Sequence, residues 1–173
     1  FAARLWSIDL GGLAEHGLLV DLHRDQLWFS ESGGSVRLHL RHPIAWRAAG
    51  SERLLVDMVL RDHLTPLAAA VRRLGPISQR LLLGNAASAL LGAARALSRH
   101  RGGELAAEPG WILARGLFDD ERLSGTISFN GSSTDYRRTS CCLFYRTPDA
   151  GLCGDCTLTH KPETDSRLEK GST

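Results

Sequence analysis

Ser78-Gln-Arg-Leu-Leu-Leu-Gly84-Asn85-Ala-Ala-Ser-Ala-Leu-Leu-Gly-Ala-Ala-Arg95-Ala-Leu-Ser-Arg99 decides how the rest of the chain is read. Between Arg80 and Arg95 it runs fourteen residues, Leu81 to Ala94, without a charge. A membrane-spanning helix needs about twenty apolar residues, and this run also holds Gly84, Asn85 and Ser88. The segment is therefore predicted to be a buried core helix from Ser78, its cap, to Arg99. Gly84 inside it costs about 1 kcal/mol relative to alanine unless another element needs close approach there.

Helical spacing continues upstream. Leu54, Leu55, Met58 and Val59 recur on one face from about residue 53, and Thr65-Pro66 reads as a cap and first-turn proline for a helix ending at Gly75-Pro76. Residues 4 to 41 are expected to be strands. Leu18-Leu19-Val20-Asp21-Leu22 and Leu27-Trp28-Phe29 are short apolar runs, and Gly33-Gly34 is a turn before Val36-Arg37-Leu38-His39-Leu40-Arg41. Period two puts Val36, Leu38 and Leu40 on one face of that last strand and Arg37, His39 and Arg41 on the other. Downstream, Arg101 to Gly110 reads as a loop, Trp111 to Leu117 as a short helix or strand, and Gly125 to Phe129 as a strand. Asn130-Gly131-Ser132-Ser133 gives a flexible turn, and residues 161 to 173, hydrophilic but for Leu168, read as a disordered tail. The fold class expected is α+β: N-terminal antiparallel strands packed with a helical middle section over residues 1–130, then a cysteine-rich cluster-binding loop over residues 131–160.

At 173 residues, 43% hydrophobic and 23% charged, the chain reads as one globular domain, or one domain with a small appended cluster module. A net charge of +2 with scattered Lys and Arg and few aromatics argues against a nucleic-acid surface. No glycine-rich dinucleotide fingerprint or phosphate loop is present; Gly11-Gly12 and Gly102-Gly103 read as turns. Trp6, Trp28, Trp46 and Trp111 are expected in the core. His16, His23, His42, His63 and His100 have no metal-ligand spacing, and His160 reads as a plain loop histidine. No signal peptide is read in the chain, which opens on Phe1.

All four cysteines fall near the C-terminus, in Cys141-Cys142-Leu-Phe-Tyr-Arg-Thr-Pro-Asp-Ala-Gly-Leu-Cys153-Gly-Asp-Cys156. Adjacent Cα atoms lie about 3.8 Å apart, short of the roughly 4.4–6.8 Å a disulfide prefers, so a Cys141–Cys142 bridge is disfavoured. Two bridges across the loop would staple one short segment of a chain with enough core to fold without them. Thiolate ligation of a metal remains. Structural zinc usually uses two Cys-x-x-Cys knuckles, and here there is one, Cys153 to Cys156, beside an adjacent pair. Neither common ferredoxin spacing is present. The residues alone thus indicate a four-thiolate metal site and leave the metal open between zinc and an iron-sulfur cluster.

The arrangement Cys-Cys-x10-Cys-x2-Cys, with Arg137-Arg138 ahead of it, Tyr145-Arg146 within it and Gly151-Leu152-Cys153-Gly154-Asp155-Cys156 closing it, resembles the C-terminal motif of the FhuF-type ferric siderophore reductases. Leu83-Gly84-Asn85-Ala86-Ala87-Ser88 is similar to a helical signature of that family, with a leucine where an aromatic is expected. The resemblance implies a [2Fe-2S] cluster on Cys141, Cys142, Cys153 and Cys156. It also implies an oxidoreductase that reduces a ferric siderophore by one electron and releases ferrous iron.

On this reading Arg137, Arg138 and Arg146 are candidates to favour the reduced, more negative cluster. Arg37, His39, Arg41 and Asn85 are candidate substrate contacts. The expected partners are a hydroxamate-type ferric siderophore and a separate electron donor. The chain is expected to act as a monomer in the cytoplasm or at the inner face of the cytoplasmic membrane. The competing readings are a zinc-stabilised binding module and a [2Fe-2S] carrier without a substrate of its own.

Overall fold

The computed structural model describes residues 1–47, 50, 52–99, 101–131 and 134–162. Its first element, α1 (Ala2–His16), is a helix where strands were expected from residue 4 onward. Leu5, Trp6, Asp9 and Leu10 form its buried stripe, a 3.6-residue repeat rather than an alternation. Gly11-Gly12, expected to be a turn, lies inside this helix because packing demands small residues: a Cβ on Gly12 would stand 2.6 Å from the Leu18 carbonyl oxygen, and one on Gly11 would touch Leu97 at 3.4 Å. The helix stops at Gly17, which takes the left-handed conformation (φ 64°) and donates its N–H to the Leu13 carbonyl.

The chain then forms β1 (Leu18–Val20), β2 (Leu27–Ser32), β3 (Ser35–Leu40) and β4 (Ala45–Arg47). β1 pairs with β4 and β2 with β3, both antiparallel. Gly33 and Gly34, both at positive φ, close the β2–β3 hairpin as the sequence suggested. Leu27, Leu38 and Leu40 pack against the core, whereas Trp28 on the other face is 55% exposed and stacks on His39 with ring centroids 4.3 Å apart. Trp46 is also exposed, so only Trp6 and Trp111 are core tryptophans as expected. Trp46 stands opposite the fully buried Leu19 yet stays exposed, because a ladder bonds strand edges and leaves a ring open unless another element packs over it.

Residues 52 to 74 form one continuous helical stretch: α2 (Glu52–Val56), a wide π-helical segment (Asp57–Leu64) and α3 (Thr65–Leu74). Thr65 does not cap a fresh helix, since it is itself helical and donates its N–H five residues back to the Leu60 carbonyl. Pro66 offers no N–H and its ring crowds the carbonyl four residues earlier. The wide turns ahead of it accommodate both defects without breaking the helix.

The predicted long helix is α4 (Gln79–Arg99). By length and composition it would suffice to cross a membrane, but here it is the central packing element. Gly84, Ala86, Ala87, Leu90, Leu91, Ala93 and Ala94 are buried along it, and the glycine and alanines among them let α1 and α5 (Pro109–Gly116) approach. Trp6 reaches across from α1 and donates its Nε1–H to the Ala86 carbonyl at 3.0 Å. Each buried leucine in this core stabilises it by roughly 1.5–3 kcal/mol. The 111–117 region is thus helical, and Pro109 begins it inside the expected loop.

β5 (Ile127–Phe129) and β6 (Tyr136–Arg138) form the last antiparallel hairpin and deliver the chain to the cysteines. Ser132 and Ser133 of the expected turn, His100, and the expected tail from residue 163 onward lie outside the described residues.

Candidate metal centre

The β5–β6 hairpin is anchored before the cysteines begin. The Tyr136 ring is buried against Trp111 and Phe129, and the Arg95 guanidinium from α4 lies over it at 4.7 Å while donating to the Thr134 carbonyl at 2.7 Å. The next residues are held one by one. Arg138 donates its backbone N–H to the Asp155 carbonyl (2.9 Å), tying β6 to the far end of the cysteine loop, and the Arg137 guanidinium donates to the Cys156 carbonyl (3.2 Å). The Thr139 hydroxyl donates to the Gly125 carbonyl (2.7 Å), and the Ser140 hydroxyl to the Arg80 carbonyl of α4 (3.2 Å).

The cost of Gly84 noted from sequence has its reason here. A Cβ at that position would sit 2.4 Å from Ser140 Oγ and 3.2 Å from a terminal nitrogen of Arg138. α4 therefore meets the segment leading into Cys141 backbone to side chain. One residue on, Asn85 Oδ1 accepts a 2.5 Å hydrogen bond from Arg138, whose side chain is only 5% exposed.

Past Cys142 the backbone turns sharply through Leu143 (φ 63°), a short 3-10 turn at Phe144–Arg146, and Asp149 (φ 58°). This returns Cys153 to Cys142, and their sulfurs stand 3.3 Å apart. Amide N–H groups already point at sulfur: Leu143 at Cys141, Phe144 at Cys142 and Leu158 at Cys156, each at 3.4 Å. The four cysteines form no disulfide; Cys156 is buried and the others half-buried. Burial, with the Cys142 thiol next to it, pushes the Cys153 thiol up to about 12, so loading a metal here must displace protons.

These observations fit a cluster. Amide N–H donors to sulfur stabilise thiolate charge, and four free thiols on one folded-back loop supply the ligand number. Among the described residues no three His, Cys, Asp or Glu side chains converge on a single ion.

Residues 138–158 match the FhuF 2Fe-2S C-terminal domain. The matched stretch opens on Arg138, closes on Leu158 and contains all four cysteines. It covers the cysteine segment, not the helices and hairpins before it. The FhuF-type segment and its clustered cysteines fit a [2Fe-2S] cluster, as the resemblance implied. No curated protein matches the chain.

The other expected site residues fall in several separate places. Arg138 and Asn85, assigned separately to cluster tuning and substrate contact, are joined to each other. Arg137 is exposed beside Cys156, and Arg146 is exposed with its guanidinium 5.9 Å from the Tyr145 ring. Arg37, His39 and Arg41 lie on β3 and just beyond it, where His39 stacks on Trp28 and shares a 2.8 Å hydrogen bond with Ser30. His160 is an exposed loop residue bonded to Thr159.

Sequence reading missed Thr139, Ser140 and Asp155 as parts of the site. Their contribution depends on partners tens of residues away, and Asp155 Oδ2 is buried without a hydrogen-bond partner next to Cys156. The available clue was Gly84, a mid-helix glycine whose absence of side chain needed explaining.

Proposed function

We propose that the protein is a ferric siderophore reductase: it delivers one electron to the iron of a ferric chelate and ferrous iron leaves. When bound, the [2Fe-2S] group supplies one-electron chemistry. The residues of this chain hold it and set its surroundings. Arg138, buried and fixed by Asn85, places a permanent positive charge beside the cysteine segment and favours the more negative, reduced state. The amides of Leu143, Phe144 and Leu158 act in the same direction on the sulfurs.

The observation that carries the reading is the FhuF-type segment clamped directly onto the core helix α4 through Gly84, Asn85 and Arg80. A ferric ion in hydroxamates is held by hard, anionic oxygens, and reduction weakens that attachment because the lower charge attracts such ligands less. The electron would come from a separate donor protein, with the chain acting as a monomer in the cytoplasm or at the inner membrane face.

Mixing chemically reduced protein with a ferric trihydroxamate and a ferrous-specific chelator tests this. Ferrous iron should appear in step with reoxidation of the protein and faster than with the reductant alone. No acceleration over reductant alone would leave a carrier without its own substrate and defeat the reductase reading.

A further inference from the structure

We propose that the ferric chelate binds in the cavity of about 590 Å³ between the start of α4, the π-helical segment and the turn before β5. The proposal rests on the reductase reading and adds where the substrate sits.

Three observations carry it. The first is attachment to the site. The cavity wall includes Arg80, Gly125 and Thr126. Those residues are the hydrogen-bond partners of the two residues before Cys141: Ser140 donates to the Arg80 carbonyl (3.2 Å), and Thr139 bonds both the Gly125 carbonyl through its hydroxyl (2.7 Å) and the Thr126 carbonyl through its N–H (3.0 Å). The cavity wall is therefore hydrogen-bonded to the two residues that lead directly into the first cysteine.

The second is size. The volume falls within the 300–1,000 Å³ of small-molecule sites. An apolar cavity of about 280 Å³ shares Leu60, Thr65, Gln79 and Leu83 with it, which leaves space for the aliphatic linkers of a chelate.

The third is charge. Arg122 at the wall is paired with both Asp57 (2.6 Å) and Asp120 (2.7 Å), which leaves that trio one negative charge in excess, and Arg80 and Glu121 are opposite in sign. Leu60 and Leu83 are apolar, and Thr65, Gln79, Ser124 and Thr126 are uncharged hydrogen-bonding groups. Three hydroxamates cancel the charge of ferric iron, so the chelate centre is neutral and needs no strongly charged wall, and the charges at this one are of both signs and largely balanced. The Arg37, His39, Arg41 stripe is uniformly basic and lies on a separate hairpin.

Binding can be separated from reduction with a gallium(III) trihydroxamate, which has the same charge and shape as the ferric complex but accepts no electron under these conditions. Calorimetric titration of cluster-loaded protein is compared with Ser124→Trp, at the exposed rim, and Leu83→Trp, which fills the interior. Each should weaken binding at least roughly tenfold while the visible spectrum stays unchanged. Arg37→Glu should bind as the parent does.

Undiminished affinity in Ser124→Trp with a native spectrum, loss of affinity in Arg37→Glu, or no binding of the gallium complex by the parent would each overturn the site. If the parent reduces the ferric chelate and Ser124→Trp reduces it equally well at low chelate concentration, the site is wrong and the reductase reading stands. If gallium binding is lost in the cavity variants but no ferric reduction occurs, the site stands and the reductase reading fails.

Discussion

Gly84→Ala tests the contact between α4 and the cysteine segment most sharply, because two opposing effects can be separated. In a free helix the change stabilises by about 1 kcal/mol. Here the new Cβ would lie 2.4 Å from Ser140 Oγ, about 1 Å inside ordinary contact, and 3.2 Å from Arg138. Relief requires Ser140 to turn away and give up its bond to the Arg80 carbonyl, worth about 1 kcal/mol. It also requires the Arg138 guanidinium to shift against Asn85. Overpacking of this kind typically costs about 1–3 kcal/mol, so the single variant should be destabilised by roughly 1–2 kcal/mol net.

Ser140→Ala removes the offending oxygen and leaves Ser140's Cβ position at 3.8 Å, an ordinary contact. In that background Gly84→Ala should be near neutral or stabilising, giving a coupling of about 1–2 kcal/mol. Urea unfolding of the four proteins, followed by circular dichroism and by visible absorbance, measures the cycle. Additivity within about 0.5 kcal/mol would show that Gly84 and Ser140 do not meet as described.

Other outcomes follow from single residues. Asp9 is fully buried, among the described residues accepts from the Val20 N–H alone through Oδ1, and burial lifts it from 3.8 to about 7. Between those values the folded protein keeps a proton that the unfolded chain has lost, so stability should fall as pH rises from about 4 to 7 and then level off, by up to about 4 kcal/mol. Asp9→Asn should flatten that slope in urea titrations at pH 5 and pH 8, and an unchanged slope would contradict the assignment. Arg138→Gln should lower the reduction potential by on the order of 50 mV while Arg146→Gln leaves it nearly unchanged; equal shifts in both variants by redox titration would contradict the role given to the buried arginine. Cys142→Ser should lose most of the visible absorption, and a parental spectrum would refute its assignment as a ligand.

Much of this architecture was legible because it is local. The Val36–Arg41 alternation, the Gly33-Gly34 turn and the uncharged run of α4 each express a period within one segment, and the four cysteines carry their spacing on the chain. α1 was misread because Gly11-Gly12 looks like a turn; what licenses it in a helix is the Leu18 carbonyl, which no local pattern reveals. The run through Pro66 was misread for a related reason, since the widened turns that absorb the proline lie before it. The pairing of Asn85 with Arg138 spans 53 residues, so sequence could nominate both without joining them. Trp28 and Trp46 are exposed because whether another element packs over a strand residue is a long-range fact that no local period carries.

Everything proposed for this protein depends on Cys141, Cys142, Cys153 and Cys156 holding a [2Fe-2S] cluster. Metal and acid-labile sulfide analysis of anaerobically purified protein, with its visible spectrum, tests it most directly. The expected result is a red-brown protein with about two irons and two sulfides per chain and absorption that bleaches on one-electron reduction. A colourless protein carrying one zinc and no sulfide would contradict it.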